Sequence, residues 1–149
     1  MSVTLREKLK RAAKLKVREN IKLQLCKRFS LSENNVFIFD EDFQSIVELA
    51  DQKGLETKDG CLEISSFEGC FQDFIKSFHL TDAISFMIST DNDYFFAKIP
   101  LTVLQQNPSF FWSDKILHST SKNRIFIKND KSSAFVILSS EYGLECCQW

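Results

Sequence analysis

Glycine and proline are scarce in this sequence, at four and two residues in 149. With no Ser/Gly-rich or Pro-rich run to act as a linker, a single domain is expected, comprising a basic helix over 1–29 and an α+β body over 36–149. Histidine is limited to His79 and His118, and neither falls in an H-E-x-x-H or Cys-His spacing that would set metal ligands on one helix or turn. G-x-G-x-x-G, Walker and G-x-S-x-G sequences are absent as well. The sequence therefore predicts no enzyme, no metal and no cofactor. No stretch approaches the ~18 apolar residues that span a bilayer. Lys and Arg also interrupt every run before residue 29, which argues against a secretory leader. The five cysteines are odd in number, lack C-x-x-C spacing and include the adjacent Cys146 and Cys147, which cannot readily bridge each other. Free thiols in a reducing cytosol are expected, and with them a cytoplasmic protein without a membrane partner.

What is abundant is charge sorted along the chain. Residues 1–28 hold ten Lys or Arg against Glu7 and Glu19, a net of +8. Residues 29–93 hold fourteen acids against Lys53, Lys58 and Lys76, a net of −11, and residues 94–149 return to +2. Such sorting speaks to partners and association rates rather than to chemistry.

Local signals order the elements. Thr4 and Glu7 have capping-box spacing, and Leu5, Leu9, Ala13, Val17, Ile21, Leu25 and Phe29 recur every four residues, predicting one long amphipathic helix. A strand follows at 36–39, then a helix capped by Asp40 or Asp42 and stopped by Gly54. Asp59 and Gly60 signal a hairpin turn between 55–58 and 61–64. Ser65 with Glu68 repeats the capping-box spacing before a helix with Phe67, Cys70, Phe71, Phe74, Ile75 and Phe78 on its buried face. Residues 83–89 and 94–99 form a hairpin across Thr90–Asp93, Pro100 opens a short helix to Gln106, and 124–128 pairs with 134–139. Phe110, Phe111 and Trp112 receive no assigned element. The order predicts an α+β fold: a long N-terminal helix and two or three more packed on one face of a mainly antiparallel sheet built from hairpins. The fifteen Phe read as packing material.

Three sets of residues are candidates for function. Glu48, Asp51, Glu68, Asp73, Asp91 and Asp93, with Trp112 as an aromatic anchor, would form an acidic contact surface for a basic protein, although Phe110, Phe111 and Trp112 read equally well as core. Lys10, Lys14 and Lys22 would carry the alternative, a nucleic-acid-binding regulator using the first helix. His118, beside Ser119, Thr120 and Ser121, is the weakest candidate, for a phosphate or nuclease site, and reads more readily as structural.

The closing RIFIKNDKSSAFVILSSEYGLECCQW runs strand, polar turn, aromatic strand and acidic-aromatic ending. Together with the chain's size, acidic middle and lack of catalytic motifs, it resembles the small immunity proteins of bacterial contact-dependent growth inhibition and other polymorphic toxin systems. The resemblance implies a non-enzymatic inhibitor that binds one cognate toxin domain, often a nuclease, and blocks its active site. These families share no fixed site motif, so the resemblance assigns no residue.

Overall fold

Thr4 and Glu7 close the capping box their spacing predicts: Glu7 N–H donates to Thr4 Oγ1 at 3.2 Å, and Thr4 N–H to Glu7 Oε2 at 3.1 Å. The computed structural model describes residues 4–57, 63–91 and 93–149. Helix α1, Leu5–Phe29, begins at this cap and ends at Ser30, whose φ of 54° turns the chain away. Its four-residue ridge does not pack as one stripe. At 100° per residue a step of four overshoots a full turn by about 40°, so Leu5 points roughly 200° around the axis from Leu25. Ile21 and Leu25 are buried, whereas Leu5 and Leu9 are 72% and 62% exposed, and every residue from Thr4 to Ala13 faces solvent.

Strand β1, Phe37–Phe39, leads into helix α2, Phe43–Lys53. Asp42 Oδ1 accepts from the Gln44 and Ser45 N–H groups at 3.1 and 3.4 Å, and Gly54, with φ of 105°, closes the helix in the left-handed region that glycine tolerates. The hairpin expected around Asp59 and Gly60 falls on residues 58–62, outside those described. Its flanks behave differently from expectation: β2, Glu56–Thr57, pairs with the last strand, and Ile64 opens a 3-10 turn. That turn, Ile64–Phe67, replaces the capping box read at Ser65 and Glu68. Helix α3, Glu68–Lys76, starts from Phe67 with no side-chain cap. Phe67, Phe71, Phe74 and Ile75 are buried as the spacing predicts, but Cys70 is exposed.

Strands β3, Ile84–Ser89, and β4, Tyr94–Lys98, form the predicted hairpin, with Met87 opposite Phe96. Three short helices follow: α4, Leu101–Gln106; α5, Pro108–Ser113; and α6, Lys115–His118. Pro108 occupies the first turn of α5, where its missing N–H leaves no intrahelical bond unmade. Strands β5, Arg124–Lys128, β6, Ala134–Ser140, and β7, Gly143–Gln148, complete the chain. The seven strands lie in the order β1, β4, β3, β5, β6, β7, β2, every pairing antiparallel. The fold is α+β.

The sheet is covered on both faces rather than one. All six residues of β3 are buried, so alternate side chains on each face need an apolar cover. On one face Ile84, Phe86 and Ile88 meet α3 through α6 and the C-terminal half of α1. On the other, Met87, Phe96, Ile125 and Val136 meet Ile46 and Ala50 of α2. The phenylalanines do act largely as packing, with Phe71 4.2 Å from Phe126 and 4.9 Å from Trp112 between ring centroids.

The winding of the α1 ridge is testable by urea unfolding. Leu5→Lys with Leu9→Lys is expected to leave stability within about 0.5 kcal/mol, whereas Leu25→Ala costs about 2–5 kcal/mol. Comparable losses at both places would contradict the winding.

Candidate binding surfaces

The acidic residues do not gather on one surface. Glu48 and Asp51 are exposed on α2, while Glu68 and Asp73 stand on α3, across the sheet. Asp91 accepts a hydrogen bond from Ser119 Oγ. Asp93 closes the β3–β4 turn: its carbonyl accepts from Thr90 N–H at 2.7 Å and its own N–H donates to Thr90 Oγ1 at 3.0 Å. The Asp93 carboxylate also lies 3.9 Å from Lys14 Nζ. Of the two aspartates offered as the cap of α2, Asp42 takes that place and Asp40 pairs with Lys14 and Arg18. Asp42 caps α2, and the hydrogen bonds from Ser45 hold its carboxyl below the usual range.

Trp112 is the plainest correction. It is 1% exposed, its indole N–H donates to Ile64 O at 3.0 Å, and its ring stacks on Phe71, so it is core rather than a partner anchor. The aromatic run failed as a contact signal because α5 turns Phe111 and Trp112 inward and leaves only Phe110 half-exposed.

The bases of α1 divide into two sets. Lys14 and Arg18 turn inward: Lys14 Nζ is 3.7 Å from Asp40, Arg18 Nη2 donates to Asp40 at 3.0 Å, and both cations lie over the buried ring of Phe95, at 5.3 and 5.2 Å. Lys14, proposed for nucleic acid, is thus engaged by the protein's own body. Lys22 is half-buried, while Lys10 is exposed and free of ion pairs among the described residues. Sequence reasoning missed Arg28, whose guanidinium lies 4.4 Å over the Phe110 ring, and Lys115 of α6 beside it. Only the packing of α1 against α5 and α6 brings these together, so no local pattern could have signalled them.

His118 is structural. Asp114 caps α6 by accepting from Ile116 N–H at 2.8 Å, and this turn buries the imidazole with Nε2 2.6 Å from Phe111 O. Burial, and then the nearby charge of Arg124, lower its pKa to about 3, against a smaller opposing effect of the Phe111 carbonyl. The ring is therefore neutral at pH 7, with Nε2–H donating to that carbonyl. Arg124 is buried too. Its Nε donates to Trp112 O at 2.6 Å, and Nη1 donates to Ser121 O and Asn123 O at 2.7 and 2.9 Å. Burial lowers its pKa to about 10, which still leaves a cation at neutral pH. His79 is exposed, with its backbone N–H on Asp82 Oδ2 at 2.9 Å. Among the described residues no group of three His, Cys, Asp or Glu could hold a metal ion, and Cys26, Cys70 and Cys147 are free thiols. No helix among the described residues is long and apolar enough to cross a membrane.

The His118 environment fixes a pH dependence. Its folded pKa lies below the unfolded value near 6.5, so the unfolded chain binds the extra proton between these values and stability falls as pH drops through that window. From this group alone, a loss of about 2 kcal/mol is expected between pH 7 and pH 5. Urea midpoints across that range should show it, and His118→Gln should flatten the slope; an unchanged slope in the variant would contradict the assignment.

Comparisons of the chain with protein-family models, with curated proteins and with solved structures find no match.

Proposed function

We propose that this protein acts by binding rather than by catalysis, and that it neutralises a basic protein partner, such as a nuclease-type toxin domain, through the outer side of α2. The observation that carries this reading is the state of Glu48 and Asp51. One helical turn apart, both are exposed and neither has an ion pair among the described residues, whereas Asp40, Asp91 and Asp93 are engaged within the protein. Glu68 and Asp73 are likewise without an ion pair among the described residues but stand on α3 across the sheet, with Glu68 partly buried, so the carboxylates form two separate sets, and the more exposed pair on α2 is the one assigned to the partner. Carboxylates so placed can occupy positions where a nucleic-acid-processing enzyme holds phosphate, and complementary potentials speed encounter. The resemblance of the closing strands to immunity proteins supports the same reading, as does the internal, neutral state of His118.

The test is recovery of the partner from the native host, followed by calorimetry with charge-reversed variants. Glu48→Lys with Asp51→Lys is expected to weaken binding at least tenfold, about 1.4 kcal/mol, with the larger loss at low salt. Glu68→Lys with Asp73→Lys, across the sheet, should change it by less than about threefold. Equal effects from the two pairs would sink the assignment to α2.

A further inference from the structure

We infer that α1 and the groove beside its C-terminal end form a binding track for single-stranded nucleic acid. This surface is separate from the outer side of α2, since α1 packs on the opposite face of the sheet. At about 100° per residue, Arg6, Lys10, Lys16, Lys27 and Arg28 fall within roughly 120° of the helix circumference, and the spacing from Arg6 to Arg28 is about 33 Å. Glu7 and Glu19, the only acids of the helix, project outside that sector. Arg6, Lys10, Lys16, Lys27 and Arg28 are all exposed, and none has an ion pair among the described residues. The inward-turned Lys14 and Arg18, by contrast, are held by Asp40.

The track ends in a shallow, open depression beside the C-terminal end of α1. Two adjoining hollows of about 590 and 380 Å³ share Arg28, Phe110 and Ile116. Ser109, Ser113, Asp114 and Lys115 line one, where the Asp114 carboxylate is engaged as the cap of α6, and Gln24, Leu25 and Lys27 line the other. Arg28 is not a loose surface cation: its guanidinium is laid over the half-buried Phe110 ring, which Phe29 and Phe111 brace edge-on at 5.0 and 5.2 Å. A guanidinium held in this way is a platform on which an unstacked base can lie, with Lys27 and Lys115 beside it for the flanking phosphates. A duplex keeps its bases inside and cannot use such a platform. The combination of a row of exposed cations with a stacking surface at its end fits a single strand better than an acidic protein, which would need the cations alone.

Fluorescence anisotropy of a labelled oligothymidylate with the full chain tests the track. Binding at low salt is expected, with about a 300-fold loss of affinity between roughly 50 and 200 mM salt if six phosphates are neutralised. Arg6→Glu, Lys10→Glu and Lys16→Glu together, all at exposed positions, should lower affinity by about 100-fold. Arg28→Lys keeps the charge but loses the flat face, so about tenfold weaker binding with an unchanged salt slope is expected. Absence of binding at low salt, or equal binding by the triple variant, would overturn the track. Unaltered affinity in Arg28→Lys, or equal affinity for a duplex of the same length, would overturn the platform and with it the choice of a single strand. Tighter binding to polyglutamate or to phosphatidylserine vesicles would assign the cations to an acidic protein or a lipid surface instead. None of these results bears on the α2 variants, whose readout is the protein partner.

Discussion

A buried guanidinium organises this fold. Arg124 sits at the start of a central strand, and among the described residues no carboxylate pairs with it; the carbonyls of Trp112, Ser121 and Asn123 serve instead. A buried cation without its acceptors is costly, so the segment between α5 and β5 is held in the one path that presents those oxygens. That path sets Trp112 against Phe71 and Phe126 and brings the His118 ring onto Phe111 O. The charge of Arg124 also opposes protonation of His118. The helices α5 and α6, of six and four residues and too short to be stable alone, are thereby fixed to the sheet.

What could be read from the sequence was what a few neighbouring residues decide. Thr4 with Glu7, Asp42 with Gly54, and the turn at Thr90–Asp93 specify their elements through bonds spanning three or four positions. Readings that depended on distant packing fared less well. The apolar ridge of α1 was real as a spacing, but the mismatch between four residues and one helical turn carries its first half away from the body. The helix over Phe110–Trp112 gives no periodic signal because it is one and a half turns long and held by tertiary contacts. Coverage of both sheet faces was implicit in the wholly buried run of β3, yet a continuous apolar strand does not say which helix covers which side.

Charge was legible as amount and misleading as arrangement. The acidic middle of the chain supplies α2 on one side of the sheet and α3 on the other, and part of it is taken up by α1. The basic arm divides in the same way: Lys14 and Arg18 hold the helix to the turn and to Asp40, while the cations on its open side remain available. Opposite charges close in sequence thus become internal ties, and only the remainder is left to address a partner.

The strands at both edges of the sheet come from the first two-fifths of the chain. β1 pairs with β4, and β2 pairs with β7, where Glu56 lies opposite Cys146. During synthesis from the N-terminus, residues 56 and 57 therefore have no native neighbour until almost the whole polypeptide has been made. That pairing must wait for some ninety residues of translation after Glu56 itself is made. The charge concentrated in the residues made before those sheet partners disfavours burial or association of that segment until they appear.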